Sequence, residues 1–219
     1  MAQILETDRL VLRDWEDADL DRIYDIYRRW EVMRWLGKDP KVMDDISQAR
    51  GFIDTWNKRS AAEADYGLWA VEIKETGTLA GAGLLAPLPD EDHTRNGEIE
   101  MGWHLHPDCW GFGYATESGR ALIQRGFDLG LEEVYAVVYP DNERSLAACR
   151  RLGMDELGRS SRWYDSELEV FVAKRPPPRR YQRRDRSPRV ACRLDARNVR
   201  ASRPNQACLL TAAALHAPA

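Results

Sequence analysis

The sequence predicts one α/β domain over residues 1–175, followed by an appendage of different composition. Three observations carry this. Short β-prone runs alternate with amphipathic helical stretches through the first part of the chain. A glycine-rich turn stands between a strand and a helix near its middle. The charge then divides: residues 1–175 hold 22 Lys and Arg against 34 Asp and Glu, a net of −12, while residues 176–219 hold ten Arg, no Lys and two Asp, a net of +8. All eight Trp and all fifteen Gly precede residue 176, and six of the eleven Pro follow it, so the overall −4 describes neither part.

Composition also excludes classes. No apolar run approaches the ~20 residues of a membrane-spanning helix. The start, Met1 to Glu6, has no basic segment leading into an apolar stretch, so no signal peptide is expected. The four Cys at 109, 149, 192 and 208 have no metal-ligand spacing, which fits reduced thiols and a cytoplasmic location.

The elements follow in order. Residues 3–14 alternate as an entry strand. Leu20, Ile23, Tyr27 and Trp30 recur at steps of three and four, predicting a helix over 17–35. Ile46, Ala49, Ile53 and Trp56 do the same for 44–56. The runs 68–73 and 79–85 flank Glu75-Thr76-Gly77-Thr78 and read as a hairpin. Over 97–105, Glu98, Glu100, Gly102 and His104 take one parity and Ile99, Met101, Trp103 and Leu105 the other, a strand that Pro107 ends. After the turn Trp110-Gly111-Phe112-Gly113-Tyr114 come a helix over about 115–127, a strand over 134–138 and a helix over 143–152 stopped by Gly153. Strands near 160–164 and 168–172 close the domain before Pro176-Pro177-Pro178.

The glycine turn is the informative unit. A helix that opens directly after glycines leaves its first amides unpaired, and with the helix dipole these suit a phosphate. The amides of Gly111, Phe112, Gly113 and Tyr114 are candidate donors. There is no GxxxxGK[ST], and Thr116 stands where GxGxxG needs its third glycine. The ligand is therefore expected to be another phosphate carrier, such as coenzyme A.

Four pieces together resemble the GNAT superfamily of acetyl-coenzyme A-dependent N-acetyltransferases, in particular its RimJ/RimL branch. They are Thr7-Asp8-Arg9-Leu10-Val11-Leu12-Arg13, Glu100-Met101-Gly102-Trp103, Trp110 to Glu117, and Asn142 to Ser145 followed by Arg151-Leu152-Gly153-Met154. The resemblance implies a mostly antiparallel mixed sheet with a splayed parallel strand pair, flanked by helices. It implies acetyl-coenzyme A as co-substrate, held by Trp110, the 111–114 amides, Ala115 and Asn142, with the strand end at Leu105 and His106 pairing with pantetheine. Two departures stand out: Asp108 replaces a Gln or Arg beside the pyrophosphate, where an acid pointing inward would repel it, and Arg150 replaces a frequent Glu.

Attack of an amine on a thioester needs a base and a proton for the thiolate. Glu100 is the first candidate base, with Glu98 about 7 Å away along the same face as the alternative. Ser145 is the candidate acid, with Tyr139 as the alternative. Asn142 is also placed to cap its helix. His104 and His106 share a strand face without a third ligand, so no metal is expected. Cys109 and Cys149 read as fillers, and Trp35 or Trp30 as a wall of the acceptor pocket. The acidic domain favours cationic acceptors: a peptide N-terminus, a polyamine, an aminoglycoside or an amino-acid-like amine. A homodimer is possible. The alternative is a coenzyme A-binding module without catalysis. The 176–219 tail is expected to be disordered, either a basic arm for RNA or an extension without chemistry.

Overall fold

The computed structural model describes residues 3–63, 65–89 and 95–177. Everything expected of the tail beyond Pro177 lies outside them. The described chain forms eight strands: β1 (Gln3–Glu6), β2 (Leu10–Arg13), β3 (Gly67–Ile73), β4 (Thr78–Pro89), β5 (Arg95–Leu105), β6 (Glu133–Val138), β7 (Asp155–Ser160) and β8 (Leu168–Lys174). They build one sheet in the order β1-β2-β3-β4-β5-β6-β8-β7. Among the described residues every pairing is antiparallel except β5 with β6, whose register rests on the one pair Glu100–Tyr135. An eleven-residue strand thus meets a six-residue one at a single point and diverges from it. The divergence opens the sheet.

Helices cover both faces. Because side chains alternate along a strand, β3 sends Trp69 and Val71 to one core and Leu68 and Ala70 to the other. The first core packs Leu122 of α4 (Tyr114–Asp128) and Leu146 of α5 (Glu143–Arg151). The second packs Ile23 and Ile26 of α1 (Leu20–Tyr27) and Ala49 and Ile53 of α3 (Ile46–Ala62). On β5, Ile99, Met101 and Leu105 join the first core, as their parity predicts. This leaves Glu98, Glu100 and His104 on the α1 and α3 face.

Five sequence boundaries are corrected. Residues 3–14 are two strands, because Thr7 turns the chain: its backbone N–H donates to the Leu10 carbonyl and its hydroxyl accepts from the Leu10 N–H, both at 2.9 Å. The 17–35 helix is a 3-10 turn (Asp17–Asp19), then α1, then α2 (Trp30–Met33), broken where Arg29 is extended (φ −89°, ψ 121°). Trp30 is consequently 55% exposed rather than part of a buried stripe. Strand β4 runs on through Pro87 and Pro89, where its pairing with β3 has stopped at Leu85 and it is an edge paired with β5 alone, with a register shift between the two prolines. The penultimate strand is 155–160, not 160–164, and residues 161–167 are a connection in which Tyr164 and Asp165 adopt φ of 57° and 47°. Helix α3 starts at the Asp45 cap, whose carboxylate accepts the Ser47 N–H at 2.7 Å, and runs to Ala62, six residues beyond the expected end.

Candidate active site

The pyrophosphate turn is shaped by two left-handed glycines. Gly111 and Gly113 hold φ of 86° and 83°, a region costly to a residue with a Cβ. Gly113 is the N-cap of α4 and has no side-chain cap, so the amides of the first turn are left for a ligand. The turn is fastened from the far end of the sequence. Glu117 accepts from the Thr7 hydroxyl at 2.6 Å, the Arg9 backbone N–H at 2.8 Å and the Arg9 Nε at 2.7 Å. Arg9 also donates to the Phe112 carbonyl at 3.0 Å and lies over the Tyr114 ring. The two stretches quoted for the family resemblance, 7–13 and 110–117, are thus one contact. The Trp110 indole donates to the Leu105 carbonyl at 2.9 Å, so Leu105 ties the loop to the strand end.

Two cavities meet at the splay. The larger, about 1040 Å³, is lined by residues 111–116, Leu105 and Trp110, and by Arg34, Arg144 and Arg151. The smaller, about 470 Å³, is lined by Glu100, Tyr139, Tyr164, Trp56 and Trp35 among others. Trp35, Trp103, His104, Asn142 and Ser145 belong to both. Asn142 caps α5, its Oδ1 accepting the Ser145 N–H at 3.3 Å, which places both polar side chains at the junction. The donor set suits coenzyme A. Uncapped amides and three arginines line a groove of about 1040 Å³, and Arg144 is held there over the Trp110 ring at 4.4 Å.

Glu100 is only 6% exposed. Burial raises its carboxyl to about 7, against the opposing hydrogen bond donated by the Tyr164 hydroxyl. Tyr164 in turn is raised above its ordinary value, first by burial and then by Glu100. Sequence reasoning missed Tyr164, since it looked like the end of a strand. Glu98, the alternative base, is held by Arg162 at 2.9 Å and does not line the smaller cavity. Tyr139, the alternative acid, donates its hydroxyl to the Gly37 carbonyl at 2.8 Å and is 3.3 Å from Ser166 Oγ.

Asp108 does not line the groove of the glycine turn. It pairs with Arg22 at 2.7 Å. Against the upward push of partial burial, hydrogen bonds from Arg22, Cys109 and His106 hold its carboxyl well below the usual range. The two histidines do different work. His104 Nδ1 meets the Tyr27 hydroxyl at 3.0 Å and burial lowers its pKa to about 4, so it is neutral. His106 bridges Asp25 at 2.9 Å and Asp108 at 2.6 Å. Cys109 and Cys149 are buried, and burial pushes their thiols up to about 11 and about 12, as inert fillers would be. Trp35 lines both cavities, whereas Trp30 lines neither.

A parallel strand pair splayed over an uncapped glycine turn defines an acetyltransferase architecture, and the comparisons agree. Residues 9–155 match the family model "Acetyltransferase (GNAT) domain", and the chain belongs to this family of acyltransferase enzymes. The chain is 33% identical over 160 residues to the uncharacterized N-acetyltransferase YoaA of Bacillus subtilis, covering 72% of this chain and 86% of that one. Its fold is similar to that of RimL, the ribosomal L7/L12 alpha-N-protein acetyltransferase, in complex with coenzyme A (TM-score 0.63, 14% identity, 79% and 98% of the chains). It is also similar to the microcin C7 self-immunity acetyltransferase MccE in complex with acetyl-CoA and AMP (TM-score 0.61, 17% identity, 77% and 93%). Among the described residues no helix is long and apolar enough to cross a membrane.

Proposed function

We propose that the protein moves the acetyl group of acetyl-coenzyme A to a primary amine, either a protein N-terminus or a small cationic amine, by direct attack. The observation that carries this reading is the placement of Glu100. Its carboxyl lines the smaller cavity, while Asn142 and Ser145 stand where that cavity meets the groove of the glycine turn. When bound, acetyl-coenzyme A supplies an activated acetyl thioester. The amides of 111–115 and the guanidinium groups of Arg144 and Arg151 take the phosphates. Glu100, with a pKa near 7, accepts the proton of the incoming ammonium better than an ordinary carboxylate does at neutral pH. Ser145 holds a hydroxyl proton at the junction, where a departing thiolate needs one. The names of RimL and MccE support peptide and small-molecule acceptors alike for this architecture.

The test is release of free coenzyme A from acetyl-coenzyme A in the presence of primary amines. Wild type should turn over, and Glu100→Gln should lose about a hundredfold or more in kcat/KM while acetyl-coenzyme A still protects it against heat. Equal rates for the two proteins would remove Glu100 from the chemistry.

A further inference from the structure

The Glu100 cavity carries information about the acceptor that the fold does not. We infer that the acceptor is a monoamine with an aromatic or flat apolar body, in preference to a polyamine or an aminoglycoside. This rests on the transferase reading above and narrows it.

Six aromatic residues from separate segments line the cavity: Trp35, Trp56, Tyr66, Trp103, Tyr139 and Tyr164. Two of the phenols are committed, Tyr139 to the Gly37 carbonyl and Tyr164 to Glu100, which leaves their rings as the surface on offer. Trp35 and Tyr139 already form a tilted pair with centroids 6.4 Å apart. Such walls favour another ring through offset and edge contacts beyond simple burial.

Charge argues against a polycation. One face of each of two tryptophans already carries a cation from within the chain, Arg34 4.1 Å over Trp35 and Arg59 5.0 Å over Trp56, which leaves the other face for a ring and disfavours a further ammonium beside them. Arg59 of α3 itself lines the cavity together with Glu63, the C-cap of that helix one turn later, so their charges offset each other there. Glu100 is then the carboxylate at which one ammonium is received, and a second would meet only the mutually offset Arg59 and Glu63. His104, neutral, adds no charge. A cavity of about 470 Å³ is large enough for an arylalkylamine and falls in the range of small-molecule sites.

The experiment uses the full chain with saturating acetyl-coenzyme A and measures kcat/KM by coenzyme A release. The acceptors are phenethylamine, tryptamine, hexylamine, spermidine, kanamycin and an alanine-initiated peptide. The arylalkylamines should exceed hexylamine about tenfold and spermidine and kanamycin by more. Trp56→Leu should reduce the aryl preference over hexylamine to about threefold or less, through KM rather than kcat. Trp56→Phe, kept as a control for folding, should retain most of it. Turnover of spermidine, kanamycin or the peptide equal to or above that of the aryl amines would overturn the acceptor class and leave the transferase reading standing. Heat protection by acetyl-coenzyme A with no turnover of any amine would sink that reading and this inference together.

Discussion

Glu100 combines two demands that oppose each other. A carboxylate 6% exposed is costly to ionise, and that cost is what lifts its pKa into the working range of a base. Its proton is held more tightly in the folded protein, with a pKa near 7 against an ordinary 4.5. The associated stabilisation is therefore complete below about pH 4.5 and is lost as the pH rises through 7. Glu100→Gln should accordingly melt several degrees above wild type at pH 8, with the gap closing at pH 5, as differential scanning calorimetry can measure. Tyr164 acts in the opposite sense, because its hydrogen bond favours the carboxylate. Tyr164→Phe should move the acid limb of kcat/KM to higher pH by a fraction of a unit or more. A loss of rate with the limb unmoved would make Tyr164 only a wall. Lining the cavity with this pair are Arg59 of α3, Glu63 at the C-cap of that helix, His104 of β5 and Tyr139 beyond β6, and Glu98 is paired with Arg162.

The glycine turn works as an element because α4 begins on a residue that has no side chain. A Cβ at Gly113 would find room, its nearest neighbour being Arg9 Nη2 at 3.6 Å, so the demand for glycine comes from φ of 83° and not from crowding. Gly113→Val should distort the turn and abolish heat protection by acetyl-coenzyme A, while far-ultraviolet circular dichroism stays close to wild type. Unchanged protection would remove the turn from the phosphate site. This element was legible in the sequence, because glycine, parity and helix periodicity are local signals. So were the parity of β5, the Asn142 cap and the hairpin at Gly77. The break at Arg29 was not, since the stripe Leu20, Ile23, Tyr27 and Trp30 continues across it and the turn is set by tertiary packing. The strand at 155–160 was missed for a related reason. As an edge strand with almost every residue exposed, Asp155–Ser160 has no apolar alternation, while Trp163 and Tyr164 looked β-prone and sit in a turn. The Arg22–Asp108 pair joins residues far apart in sequence, so the orientation of Asp108 was invisible until the fold placed it.

At the scale of the molecule, one sheet carries both parts of the proposed site. The face with α4 and α5 presents the glycine turn, the face with α1 and α3 presents Glu100, and the single-pair contact of β5 with β6 joins them. The net of −12 over residues 1–175 adds a long-range attraction for a cationic acceptor. At saturating acetyl-coenzyme A, kcat/KM for such an acceptor should fall about threefold or more between ~0.02 and ~0.3 M salt, as the screening length shortens. A rate independent of salt would confine recognition to the cavity.

The central claim is that Glu100 takes the proton of the attacking amine at the junction of two cavities. The pH dependence of kcat/KM, measured side by side for wild type and Glu100→Gln, tests it most directly. Wild type should rise through an acid limb near pH 7, and the variant should be about a hundredfold slower or worse with that limb gone. A variant that kept both the rate and the limb would contradict the account.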